Sequence, residues 1–237
     1  MTRFVGWAAA LLAAAPLLAT AAERETYAGI LPCADCPALR VDLTLARDAR
    51  GAPAAYEERL TYVDRRGSDK AFTTKGRWTI ADGLIRLDDG KGGKELLKRD
   101  GDRALRMVDA DGRDIPSPIA QVLWRTSAKP QARLVRESDA AHTIVLAPGQ
   151  EIAVTLGSNR STGYRWWLSD AGEPVVAMTA APVYKPSAAA KPGAPGEERW
   201  RLFAFRPGTQ KVTFEYRRGW ERDPVPAKSF SFNVDVR

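Results

Sequence analysis

The sequence predicts an all-β protein, and three observations carry that expectation. Short runs of alternating apolar and polar residues recur along the chain, Asp-Gly pairs punctuate them, and no helical periodicity of useful length appears after residue 22. Alternation with a period of two sends successive side chains to opposite faces, so one face of each run meets a core and the other meets water. In the first half the runs are Leu39, Val41, Leu43 and Leu45; Trp78 and Ile80; Leu84, Ile85 and Leu87; and Leu105 and Met107. The pairs Asp82-Gly83, Asp89-Gly90, Asp100-Gly101 and Asp111-Gly112 supply turns, a spacing that indicates antiparallel barrels or sandwiches.

The length of 237 residues suits one or two domains, and 44% hydrophobic with 27% charged residues is ordinary for a globular chain. Met1-Thr2-Arg3, an apolar run from Phe4 to Leu18 and the small residues Ala19-Thr20-Ala21-Ala22 have the layout of a signal peptide cleaved after Ala21 or Ala22. The apolar run is shorter than the ~20 residues a spanning helix needs. No Cys stands at the cleavage point, so a periplasmic or secreted chain without a stable membrane anchor is expected. Removal of residues 1–22, whose one charged residue is Arg3, lowers the formal charge from +7 to +6. Basic residues are spread along the chain without a run of five, which together with export argues against a nucleic-acid partner. The stretch Thr126–Arg133 lacks alternation and carries Pro130, so the expected division is a first domain over 24–126, a linker over 127–137 and a second domain over 138–237.

In the first domain, Cys33 and Cys36 are the chain's two cysteines, just ahead of the run Leu39–Leu45. In an exported protein this pair reads as a disulfide closing a tight turn. A redox role asks for a helix N-terminus after the first Cys, where a strand follows instead. Metal binding asks for more soft ligands, and the one histidine, His142, lies in the other domain. Trp78 and Trp124 are expected in the core. The segment Tyr27-Ala28-Gly29-Ile30-Leu31-Pro32-Cys33-Ala34-Asp35-Cys36, with the hairpin-like stretch Leu96–Gly112, resembles the N-terminal domain of NlpE-type envelope lipoproteins. The resemblance implies a small lipocalin-like β-barrel and an association with envelope stress signalling and copper tolerance. The missing lipoprotein Cys departs from that family's anchored form.

The second half offers Thr143–Leu146, Glu151–Leu156, Lys211–Tyr216 and Phe230–Val236 as strands. Between Leu156 and Trp166 lies Gly157-Ser158-Asn159-Arg160-Ser161-Thr162-Gly163-Tyr164, a small-residue loop between two apolar strands. Val175–Met178 and Val183-Tyr184 read as a further strand and a bend, and Lys185–Gly196, with Pro186, Pro192 and Pro195, as a loop or plain linker. Trp166 and Trp167 are neighbours on a strand, so one faces the core and the other is at least partly exposed. Trp220 sits among polar residues at a loop tip, where an amphipathic ring serves better as a binding anchor than as core.

Asn159-Arg160-Ser161-Thr162-Gly163-Tyr164 resembles the Asn-Pro-Thr-Thr-Gly-aromatic loop of the chagasin family, inhibitors of papain-like cysteine proteases. The Gly193–Gly196 stretch ahead of Trp200–Gly208 and the Arg218-Gly219-Trp220-Glu221 loop match that family's other two loops in order. Arg160 stands where the family has Pro, Gly219 replaces a Pro, and Gly193 and Gly196 are sparser than the family's Gly-rich loop. The resemblance implies an immunoglobulin-like β-sandwich whose three loops enter the protease cleft as a non-covalent wedge. By that resemblance Asn159, Ser161, Thr162, Gly163 and Tyr164 form the central loop, with Ser161 and Thr162 nearest the catalytic Cys and His. Arg218 and Trp220 would lie on the wall beside that His, with Gly193 and Gly196 on the opposite side. No Gly-x-Ser-x-Gly, His-Glu-x-x-His or phosphate-loop pattern appears, so no enzyme and no cofactor are expected. The expected partner is a papain-like cysteine protease and the expected state a monomer; the alternative is an envelope sensor or small-ligand carrier acting through the barrel.

Overall fold

The computed structural model describes residues 23–64, 67–117, 121–127, 131–169, 174–187, 191, 193–221 and 225–237. The expected signal peptide, Pro192 and part of the expected linker lie outside them. The first eight strands are β1 (Arg24–Leu31), β2 (Ala38–Arg47), β3 (Pro53–Val63), β4 (Lys70–Ala81), β5 (Leu84–Asp88), β6 (Lys94–Asp100), β7 (Ala104–Val108) and β8 (Val122–Thr126). Each pairs antiparallel with the next, and β1 pairs with β8 through Thr26–Thr126, Tyr27–Arg125 and Ala28–Trp124, so the sheet closes into a barrel. Asp82 and Gly83 both have positive φ, 55° and 76°, and join β4 to β5 as a two-residue hairpin.

The barrel's interior is filled by Tyr27, Leu43, Tyr56, Trp78, Leu87, Leu97, Leu105 and Leu123, one from each strand. Trp78 is buried as expected and donates from its indole Nε1 to Ala46 O at 2.8 Å. Buried Glu25 accepts from Tyr27 Oη at 2.6 Å and pairs with Arg47 and Arg99, which satisfies a charge that an apolar interior would otherwise reject.

The described residues from 131 onward form a two-sheet sandwich, immunoglobulin-like in build. Its strands are β9 (Arg133–Arg136), β10 (Thr143–Leu146), β11 (Glu151–Ser158), β12 (Tyr164–Leu168), β13 (Val176–Met178), β14 (Val183–Pro186), β15 (Gly196–Ala204), β16 (Gly208–Arg218) and β17 (Lys228–Val236). One sheet has the order β10-β17-β16-β12; the other runs β13-β15-β11-β9, with β14 also on β15. The core between them holds Val154, Leu156, Trp166, Trp200, Leu202, Phe214, Tyr216, Phe230 and Phe232.

Two sequence expectations change here. Arg133–Arg136, inside the expected linker, forms a strand that pairs in parallel with Ile152–Thr155. Four residues with only Val135 buried are too short to reveal alternation. Trp124 is only half-buried and does not sit inside the barrel. It faces the sandwich and donates from Nε1 to Phe205 O at 2.7 Å. Ala28, Ile30, Ala38 and Val63, on the barrel's outer face, share one buried cluster with the sandwich core. Arg40 spans the junction: its guanidinium pairs with Asp42 at 2.8 Å and Glu151 at 3.0 Å and lies over the Phe203 ring.

Candidate functional site: three abutting loops

The loop between β11 and β12 is a single 3-10 turn, Arg160–Thr162, capped at both ends. Asn159 Oδ1 accepts from Ser161 N at 3.2 Å and Ser161 Oγ at 2.7 Å, and Thr162 Oγ1 donates to Asn159 O at 2.7 Å. Gly163 closes the turn at φ 80°, in the left-handed region. Ser161 and Thr162 are exposed, yet both hydroxyls are bonded back into the loop that carries them.

This turn touches both other loops. Asn159 Nδ2 donates to Gly193 O at 3.0 Å. On the other side Arg218 Nε donates to Thr162 O at 3.3 Å, and the Trp220 ring covers Gly163 so closely that a Cβ there would overlap it. Trp220 is 70% exposed and is the loop's apolar outpost. The Arg218 guanidinium lies 4.5 Å from the Tyr164 ring centre, and Tyr164 stacks on Tyr216 with centroids 5.3 Å apart. Pairing of Tyr164 with Arg218 across β12 and β16 sets this stack in register. Trp166 is buried, whereas Trp167 is half-buried with Arg217 over its ring, as the alternation requires.

Asn159, Ser161, Thr162, Gly163, Tyr164, Gly193, Arg218 and Trp220 therefore meet in one ridge. Gly196 does not share its tip. It is the first residue of β15, paired with Ser158 and Pro186, and Lys185 O and the Tyr184 ring leave no room there for a side chain. The pairing explains its glycine without any contact outside the molecule.

Sequence reasoning missed the layer beneath the ridge. Tyr216 Oη accepts from Asn159 N at 2.8 Å. Glu198, almost fully buried, accepts from Ser158 Oγ at 2.7 Å and lies 3.7 Å from Arg160 Nε. Burial pushes the Glu198 carboxyl above its ordinary range, with the Ser158 hydroxyl and Arg160 pulling the other way. Arg160 also lies over the Tyr184 ring at 4.8 Å. A Glu in an alternating strand reads as solvent-facing, so its inward placement carried no signal. Arg160, standing where a Pro is usual, was the one visible hint.

In the barrel, Cys33 and Cys36 are joined as a disulfide with Cα atoms 5.4 Å apart. Among the described residues no group of three or more His, Cys, Asp and Glu gathers as metal ligands would.

At one end of the sandwich the central turn thus contacts a loop on each side, one of which carries an exposed aromatic, and loops held on a rigid sandwich are where binding residues concentrate. Residues 145–234 match the family model of the chagasin family peptidase inhibitor I42, and residues 27–118 match that of the NlpE N-terminal domain. The two matched segments follow one another along the chain, the first over the barrel strands and the second over most of the sandwich. Lipoprotein NlpE of Escherichia coli K12 is 35% identical over 100 residues, which are 42% of this chain and 39% of that protein. The chain's match therefore spans about two fifths of that relative's length. Among solved structures, the cysteine protease inhibitor EhICP2 from Entamoeba histolytica is 23% identical over 45% of this chain and 96% of its own, with a TM-score of 0.40. The Cpx pathway activator NlpE from Escherichia coli is 17% identical over 89% of this chain and 90% of its own, with a TM-score of 0.34.

Proposed function

We propose that the chain is an exported, non-covalent inhibitor of papain-like cysteine proteases, acting through the ridge of its sandwich. The observation that carries this reading is the contact of three loops far apart in sequence: Asn159 on Gly193, and Trp220 on Gly163. The family match over residues 145–234 supports it. The physical argument is one of shape and rigidity. A substrate must lie extended in the cleft for its carbonyl to be attacked. The 3-10 turn Arg160–Thr162 is not extended, and its hydroxyls are tied to Asn159. The loop therefore fills space with small polar groups and offers no aligned peptide. Trp220 and the Arg218–Tyr164–Tyr216 stack give buried area on one flank, with rings already ordered before binding. Gly193 lies on the opposite flank.

In this reading the boundary between barrel and sandwich falls between residues 126 and 133, and the protein works as a periplasmic or secreted monomer. The test is titration of papain with the full chain. Inhibition at micromolar concentration is expected. Trp220→Ala should raise the inhibition constant about tenfold or more, as loss of an aromatic anchor does, with thermal unfolding unchanged because the ring is mostly in solvent. A wild-type chain without effect on papain-like proteases at that concentration removes the reading. A second reading rests on the match of residues 27–118, with the barrel serving as an envelope sensor or small-ligand carrier.

A further inference from the structure

Asp69 ties the barrel to the sandwich just behind the ridge. It lies at the end of the hairpin formed by β3 and β4, the two longest strands of the barrel. Its Oδ1 accepts from Asp64 N at 2.8 Å, which holds the hairpin's own backbone. Its Oδ2 accepts from Ala181 N at 2.9 Å, in the loop between β13 and β14. One carboxylate thus clamps two elements that belong to different halves of the molecule.

The loop it holds leads straight to the ridge. Ala181-Pro182-Val183 runs into Tyr184, whose ring carries the Arg160 guanidinium at 4.8 Å. Arg160 opens the 3-10 turn that presents Ser161 and Thr162. Tyr184 also packs against Gly196 at the start of β15. Pro182, Val183 and Gly67 of the hairpin line a partly open cavity of about 370 Å³ together with Arg160, Trp166 and Glu198. Val183 is exposed, so packing does little to fix this segment. The 181–183 loop is therefore held at its ends, by Asp69 on one side and by the β14–β15 ladder on the other.

We propose that the barrel is a strut for the inhibitory ridge, and that Asp69 is its positioning residue, acting through Ala181, Tyr184 and Arg160 on the turn Arg160–Thr162. The functional side of this inference rests on the reading of the ridge as the protease-blocking surface. The barrel then belongs to the inhibitor as a working part, setting how rigidly the central loop meets its target.

The test compares the full chain with Asp69→Ala and Asp69→Asn by amide hydrogen exchange and by papain inhibition. In Asp69→Ala, exchange should quicken about tenfold at Ala181 and several-fold at Ser161, Thr162 and Gly163. Core amides such as Val154 and Leu202 should keep their rates, which separates positioning from general destabilisation. The inhibition constant should rise about fivefold. Asp69→Asn keeps one acceptor oxygen and should fall between the two, and it serves if the alanine variant folds poorly. Faster exchange confined to Ala181, or unchanged rates throughout, overturns the strut. A wild-type chain that leaves papain untouched sinks the inhibitor reading alone, since exchange at the turn still decides whether Asp69 positions it.

Discussion

Gly163 joins two loops that the chain sets far apart. Its φ of 80° suits a residue without a Cβ, and the Trp220 ring occupies the place a Cβ would take. Gly163→Ala therefore meets two obstacles, a left-handed backbone and an indole. It should lower stability by about 1 kcal/mol from the backbone alone, and it should swing Trp220 off the ridge. Thermal unfolding measures the first effect and protease titration the second. A variant that inhibits like the wild type would show that the contact between Trp220 and Gly163 is not needed. The motif residues Asn159, Thr162, Gly163 and Trp220 were legible as a family pattern. The contacts of Gly163 with Trp220 and of Asn159 with Gly193 were not, because they join segments that only the strand order brings side by side.

At the scale of the element, β3 and β6 bring Glu58 and Glu95 together inside the barrel wall, beside Tyr56. Burial, and then the Glu95 carboxyl, push Glu58 up to about 7; burial raises Glu95 as well. Below the ordinary carboxylate range both groups are neutral whether the chain is folded or not. Between about 4.5 and about 7 the folded state holds a proton that the unfolded chain has released, so stability falls as pH rises through that window and flattens above it. Glu58→Gln removes the Glu58 share of this titration and leaves the burial of Glu95. It should stabilise the barrel at pH 8 by roughly 1–3 kcal/mol and leave the difference small at pH 4, read from denaturant midpoints. Wild-type stability that rises from pH 5 to 8 would contradict the sign. The same residue explains why β3 was not legible. Its inward positions are Tyr56, Glu58 and Leu60, and a charge at the middle one breaks the apolar alternation that exposes a strand. β5 and the hairpin at Asp82-Gly83 were legible because their inward residues are all apolar and the turn residues are of the kind that positive φ demands.

Across the whole molecule, barrel and sandwich share a buried layer. Trp124 reaches from β8 to Phe205 O, Arg40 reaches from β2 to Glu151, and the outer face of β1 and β2 lies in the sandwich's apolar cluster. Such a junction should make the two halves unfold together. Calorimetry of the wild type should give one endotherm, and Trp124→Ala, which removes a ring and a hydrogen bond at once, should weaken the coupling by about 2–4 kcal/mol and split the trace in two. Two separate endotherms already present in the wild type would refute the coupling. The sequence could not reveal this junction, because an outward residue of a barrel strand looks the same whether water or another domain lies over it. All-β character, the barrel-then-sandwich order and the loop motifs were readable from local pattern and family likeness. The strand Arg133–Arg136, the place of Trp124 and the tie from Asp69 to Ala181 depend on distant chain segments and were not.

The small side chains of Ala28 and Ala38 acquire a particular meaning from that junction. On a free-standing barrel, an outward alanine is a tolerant position, and a long polar replacement would merely wave in solvent. Here each is almost fully buried in the apolar cluster shared with the sandwich, so the same exchange would act as a shim driven into a seam. Positions that look most permissive by their place on the barrel are therefore among those where drift is least free.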